Sequence, residues 1–236
     1  MIKKELLKKS PLRILEKSMH GGVGIGNIGV MTARQGVGKT ACLVHLATDK
    51  LMQGKHVIHV SYAGNTSHII AWYEDIFEEY AQRLKIGNVM DLHDEVIRNR
   101  IIMNFSQSGT TVTQVVKSLN TLIKDGGFVA DCIIVDGYDF KIGKPQDLVE
   151  YRAFAKALGI ELWFSSSLKD EDLIFDEHGI PTILTCYLGE IAIIIFLKPE
   201  AGIIRLELKK DHDHRPKNDL HLKLDPKILL IAGDNE

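Results

Sequence analysis

Eight consecutive residues carry the densest chemistry in the chain: Ala33-Arg34-Gln35-Gly36-Val37-Gly38-Lys39-Thr40. Glycines, a lysine and a hydroxyl at this spacing suit a polyphosphate. Glycine lets successive backbone N–H groups turn inward around phosphate oxygens, and a helix opening at Lys39 adds its positive end. On this reading the backbone from Gly36 to Thr40 and the Lys39 ammonium hold phosphates, and Thr40 offers its hydroxyl to Mg²⁺. Arg34, Gln35, Val37 and Ala41 complete the loop, and Ala33 stands where the usual pattern begins with glycine. The competing reading is a glycine-rich strand-to-helix turn with no ligand; Gly-Lys-Thr at the start of an expected helix weighs against it.

A second candidate is Cys132-Ile133-Ile134-Val135-Asp136, an apolar strand that ends in a carboxylate. A Mg²⁺-bound nucleoside triphosphate needs an acidic group at the C-terminal edge of the sheet. Asp136 is the natural metal-side residue, and with the loop upstream the pair specifies ATP and Mg²⁺ as the expected ligands.

The elements that must position these residues alternate. Short β-branched runs predict strands over 27–32, 56–61, 100–105, 132–136 and 161–165. Amphipathic stretches predict helices over 39–52, 66–84, 110–124 and 147–158. Strands alternating with helices imply a mostly parallel twisted sheet with helices on both faces. The alternation stops near residue 190, and strands over 190–198, 202–210, 219–224 and 228–231 read as a C-terminal antiparallel meander. One α/β domain over 1–236 is the economical organisation, with a leader segment at 1–20 and the meander at 190–236.

Composition agrees. The 236 residues are 45% apolar and 25% charged with a formal net charge of −2, which excludes a disordered chain and argues against one dominated by a basic nucleic-acid surface. The longest apolar run, 191–197, is far short of the ~20 residues a spanning helix needs, and no export signal is visible, so the expectation is a cytoplasmic protein with no membrane partner. Three dispersed cysteines, Cys42, Cys132 and Cys186, read as buried thiols rather than a disulfide framework.

Gly21-Gly22, Gly26 and the run from Val30 to Thr40 resemble the core of RecA-like P-loop ATPases, especially the DnaB-helicase, KaiC and RadA branch. The similarity continues through Val57-Ile58-His59-Val60-Ser61, Ile133 to Asp136 and Phe164-Ser165-Ser166-Ser167-Leu168. This resemblance implies a RecA-like fold that binds ATP, and a homo-oligomer, with a hexameric ring as one form.

The departures from that family bear on turnover. The family's second strand usually ends Ser-x-Glu, the glutamate polarising the attacking water. Here the same place reads Ser61-Tyr62-Ala63, and loss of such a base costs ~10²–10⁴-fold in rate. Glu74 and Asp75 are the nearest alternatives, and their helical setting reads as solvated charge. Ser167 falls where helicase relatives carry a γ-phosphate-sensing glutamine; Ser166 or Ser167 could bond phosphate-bound water, or equally satisfy loop backbone. In Leu208-Lys209-Lys210-Asp211-His212, Lys210 fills the lysine of the family's Lys-x-Arg finger, but His212 takes the arginine position and Arg215 lies beyond it. Edge-strand lysines that block aggregation are an equal reading of Lys209 and Lys210. Ser167 and Lys210 are the candidate catalytic residues. The expected function is therefore an ATP-binding regulatory or assembly component with weak or absent hydrolysis; the alternative is an active DNA-dependent ATPase, with nucleic acid the less favoured partner.

Other clusters read as structural. Trp72, Tyr73, Phe77 and Tyr80 share a helical face and predict core rather than a base-stacking platform. Asp211-His212-Asp213-His214, with His221, contains metal-ligand types but reads as an exposed turn. Lys3, Lys4, Lys8, Lys9 and Arg13 read as a solvated terminal segment.

Overall fold

The computed structural model describes residues 10–83, 89–214, 216, 219–225 and 230–233. After a short N-terminal helix, α1 (Pro11–Ser18), come β1 (Ile28–Arg34), α2 (Lys39–Met52), β2 (Val57–Ser61), α3 (Ser67–Arg83), α4 (Val89–Arg98) and β3 (Arg100–Asn104). The chain continues as α5 (Val112–Asn120), β4 (Cys132–Asp136), α6 (Pro145–Leu158) and β5 (Glu161–Leu168). It ends in β6 (Ile191–Glu200), β7 (Ile203–Asp211), β8 (Asp219–Leu224) and β9 (Ile231–Gly233).

Nine strands form one sheet in the order β3-β2-β4-β5-β1-β6-β7-β8-β9. From β3 to β6 every pairing is parallel; from β6 to β9 every pairing is antiparallel. The parallel strands are apolar on both faces because helices cover both. One core lies under α1 to α4 and includes Met31, Ile134 and Trp163. The other lies under α5 and α6 and includes Val30, Val135 and Phe164. Alternation along each strand sends successive residues to opposite cores. Tyr73, Phe77 and Tyr80 are buried in the first, with Trp72 packed against them, as their spacing predicts.

Local chemistry sets the element ends. Ser10 caps α1 by accepting from the Leu12 N–H, and Pro11 opens the helix; the leader therefore forms a helix from residue 11, while residues 1–9, with four of its lysines, lie outside the described residues. Thr111 and Gln114 form a capping box at α5. The helix expected over 110–124 narrows to α5 and ends in a wider turn, Thr121–Asp125, where Gly126 N–H reaches back to Thr121 O at 3.0 Å. Helix α4 is an addition to the sequence-based expectation: it buries only Leu92 and Val96, a stripe too narrow to announce a helix. Strand β5 runs three residues further than expected because Ser165 to Leu168 stay paired with β1.

Cys42 and Cys132 are buried, but Cys186 is exposed, correcting the expectation of three buried thiols. Cys186 lies in a short 3₁₀ turn whose Leu184 and Tyr187 take the inward positions.

Candidate phosphate-binding site

The loop after β1 turns upward at the C-terminal edge of the sheet. Gly36 and Gly38 hold φ of 82° and 109°, the left-handed region that glycine enters without strain. Gly38 is also the N-cap of α2 and has no side chain to close the helix. The first-turn N–H groups of α2 are thus left uncapped, an anion-receptive end. Leu224 of β8 packs over Gly38 so closely that a Cβ there would lie 2.8 Å from Leu224 Cδ2.

Lys39 is 6% exposed and folds back over the loop, donating from Nζ to the carbonyls of Ala33 and Arg34 at 3.2 and 3.1 Å. Burial pulls its ammonium down to about 8, with the Asp136 carboxylate acting in the opposite direction. A buried cation on two neutral carbonyls is a group waiting for a stronger partner. Ala33 and Ala41 are buried, whereas Arg34, Gln35 and Gly36 are exposed and Val37 is half-buried. Arg34 is held at the surface by Asp170, Nε to Oδ1 at 2.8 Å.

Thr40 and Asp136 meet directly: Thr40 Oγ1 donates to Asp136 Oδ2 at 2.9 Å. Sheet order explains the meeting. β5 lies between β1 and β4, and the first turn of α2 spans it to reach the end of β4. Asp136 in turn pairs in register with Ser61 of β2, and the Tyr62 N–H donates to the Asp136 carbonyl at 2.9 Å. Residue 63 therefore stands beside the end of β4, as expected for a water-polarising group. It is alanine, and its N–H donates to Ser61 Oγ at 3.1 Å. Glu74 is bonded instead to His93 and Arg100, and Asp75 is exposed.

The three serines of β5 divide. Ser165 Oγ accepts from the Gly137 N–H at 2.8 Å, fixing the turn after Asp136. Ser166 Oγ is buried with no partner. Ser167 is exposed and pairs in register with Ala33 at the base of the loop, so it remains beside the candidate site.

Lys210 is not brought to this site within one chain. It pairs with Ile194 on β7, and Ile193 and Ile194 pair with Gly29 and Val30 of β1. That places it at the opposite end of β1 from the loop, about 15 Å along the strand at ~3.3 Å per residue. Its Nζ donates to His212 O at 3.3 Å, and Lys209 pairs with Glu207 at 2.7 Å. His212 turns inward, its Nδ1 on Asp211 at 3.0 Å and its Nε2 on the Val23 carbonyl at 3.1 Å. Arg215 lies outside the described residues. Among the described residues no His, Cys, Asp and Glu group is arranged to hold a metal ion, so the 211–214 cluster is a hydrogen-bonded turn, with His20 bonded to Asp211 at 2.7 Å.

Sequence reasoning missed the Asp170 contact to Arg34, the role of Ser165, and Leu224 over Gly38. Each joins residues far apart in sequence, and only the sheet order brings them together.

A mostly parallel sheet with a loop-to-helix turn after its central β1, an acidic strand end beyond β5 and an antiparallel extension defines the RecA-like fold. Among solved structures, the ATPase domain of a DnaB-like helicase is similar to this chain: TM-score 0.68 and 16% identity, covering 93% of this chain and 88% of that one. No protein-family model matches the chain, and no curated protein matches it. Among the described residues no helix is long and apolar enough to cross a membrane.

Proposed function

We propose that this chain binds ATP with Mg²⁺ at the Gly36–Thr40 turn and serves as a nucleotide-dependent regulatory or assembly component with weak or absent hydrolysis. The observation that carries the binding is the Thr40–Asp136 hydrogen bond beside an uncapped α2. Thr40 donates its proton to Asp136 and keeps its lone pairs free for a cation. The residues fit a Mg²⁺-bound triphosphate: uncapped N–H groups and Lys39 for phosphate oxygens, Thr40 and Asp136 for the metal side. Mg²⁺, when bound, would neutralise charge on the β- and γ-phosphate oxygens.

Lys39 would leave the Ala33 and Arg34 carbonyls for the phosphates, regaining a full charge partner. Asp136, held by Thr40 and by the Ser61–Tyr62 backbone, would orient the metal's water shell. Weak turnover is supported by Ala63, which can neither accept a proton nor orient water. It is supported also by the position of Lys210, which could meet a phosphate only in another copy of the chain. That second point supports a homo-oligomer, a hexameric ring being one closed form.

The likeness to an ATPase domain favours a second reading, an active DNA-dependent ATPase. The same experiment separates the two. Calorimetric titration with a non-hydrolysable ATP analogue should show Mg²⁺-dependent binding that Lys39→Ala abolishes; unchanged affinity in that variant contradicts the assignment. Turnover measured with and without DNA, alongside the solution mass, should be slow and insensitive to DNA; brisk DNA-stimulated hydrolysis selects the second reading.

A further inference from the structure

One buried imidazole near the proposed metal side has no evident structural use. His59 lies in the middle of β2, fully buried between Ile102 of β3 and Ile134 of β4. Its Nδ1 is 3.1 Å from the Tyr73 hydroxyl. Its Nε2 is buried and has no partner. An unsatisfied buried ring nitrogen costs ~1–3 kcal/mol, and the apolar neighbours of His59 in β2 and β4 show that this position could have been filled without that cost.

The sheet places His59 where a polar group has one obvious target. Ile58 and Val60 face the α5–α6 core and Val57 faces the α1–α4 core, so His59 and Ser61 share the latter face. Ser61 is in register with Asp136, and Ile134 with His59, so Asp136 lies one pair above His59 on the same face of the adjacent strand. Burial holds the His59 imidazolium down to about 4, so the ring is neutral at physiological pH; of the charges around it, Asp136 acts most strongly, opposed by Arg100 and His68. Tyr73 can donate only its single hydroxyl proton; when it does so to Nδ1, the ring's own proton sits on Nε2.

We propose that His59 is a positioning residue for Asp136, its Nε2–H acting as a second donor that orients the carboxylate, directly or through one water, while Thr40 holds the other side. Tyr73 sets the tautomer from below, and the Arg100 guanidinium over the Tyr73 ring, 4.4 Å from its centroid, holds Tyr73 in place. An ionised carboxylate has lone pairs for both donors and a metal-bound water. The arrangement corresponds to an outer-shell hydrogen bond that aims a metal-side ligand. It deepens the reading of Asp136 as the metal-side residue and rests on it.

Two arms test it. In the nucleotide-free protein, ¹⁵N spectra of the histidine rings should place the His59 proton on Nε2, and Asp136→Asn should shift that resonance while Lys39→Ala leaves it in place. In the second arm, the Mg²⁺ midpoint for binding of an ATP analogue is compared among variants. Asparagine at 59 can imitate Nδ1 and glutamine Nε2, so His59→Asn should raise the midpoint about tenfold and His59→Gln should restore it, with both variants retaining cooperative unfolding. An unmoved His59 resonance in Asp136→Asn overturns the proposal, as does a wild-type midpoint in a folded His59→Asn. If wild-type protein binds no analogue, the ATP reading fails, and the first arm alone decides whether His59 engages Asp136.

Discussion

Thr40 on the first turn of α2 and Asp136 at the end of β4 are joined by a 2.9 Å hydrogen bond that passes across the top of β5. The bond links the two sequence motifs into one site and sets the direction of the proton: Thr40 donates, and its oxygen keeps lone pairs facing a cation.

Removing that hydroxyl should separate metal-dependent from metal-independent binding. Thr40→Ala is expected to weaken ATP-analogue binding in Mg²⁺ by about tenfold or more, since a charge-assisted hydrogen bond and a metal ligand are lost together. In EDTA the same variant should match wild type within about threefold, and Thr40→Ser should behave like wild type throughout. Calorimetry in the two buffers checks this; an equal loss with and without metal would show that Thr40 serves the loop rather than the cation.

Lys39 gives a pH dependence whose sign follows from burial. Its folded value is lowered from 10.5 to about 8, so between those limits the unfolded chain binds more protons than the folded one. Stability without nucleotide should therefore rise with pH from about 8 to 10.5, and Lys39→Met should remove that rise. Nucleotide affinity should move the other way, falling by up to about tenfold per unit above pH 8 as the free protein loses the proton that pairs with phosphate. Chemical denaturation and analogue binding across pH 7 to about 10 read both slopes; flat profiles would contradict the buried ammonium.

Most of the architecture is legible before any coordinates, for a physical reason. Helix α2 and strand β4 have the bounds that their periodicity gives, Lys39–Met52 and Cys132–Asp136, because each is ended by chemistry that the sequence displays. The Gly-Lys-Thr turn opens the helix, and a carboxylate closes the strand. What stays hidden is order across the sheet. Nothing in the residues of β5 announces that it lies between β1 and β4, and that placement alone joins Thr40 to Asp136. The same holds for Lys210, whose sequence position suggests a catalytic lysine although the antiparallel β7 carries it to the far end of β1. Helix α4 was illegible because Leu92 and Val96 are its only buried positions.

Ala63 should be a reversible defect. It follows Ser61, whose neighbour in register is Asp136, and it is only half-buried, so a longer side chain has room at the sheet edge. Ala63→Glu is expected to raise ATP turnover by at least about tenfold, a fraction of the ~10²–10⁴ that a well-placed general base supplies. Steady-state phosphate release checks it, with Ala63→Gln as the control that keeps size without a base. Equal rates in the two variants would mean that something other than the missing carboxylate limits turnover.

The phosphate loop should also depend on a residue well away from it. His45, on α2 one turn beyond Thr40 and buried, accepts the Ile231 N–H at its Nδ1, 2.9 Å away. A backbone N–H only donates, so Nδ1 carries the lone pair and Nε2 the proton, which goes to the Tyr80 oxygen at 2.8 Å. Tyr80 then has its own proton for Ser10 Oγ, the cap of α1, at 3.4 Å. One imidazole thus ties α2 to the last strand and, through Tyr80, to the first helix. Ile231 pairs with Leu224, and Leu224 packs over Gly38, so the tie ends at the phosphate loop. His45→Leu leaves the Ile231 N–H buried without its acceptor and should cost ~1–3 kcal/mol of stability, against about 1 kcal/mol for Tyr80→Phe, which keeps the His45–Ile231 bond. Because β9 then holds Leu224 less firmly, analogue affinity should fall several-fold in His45→Leu and stay near wild type in Tyr80→Phe. Urea unfolding and calorimetry on the same two variants decide it: a stability loss in His45→Leu with affinity untouched would break the link from β9 to the loop.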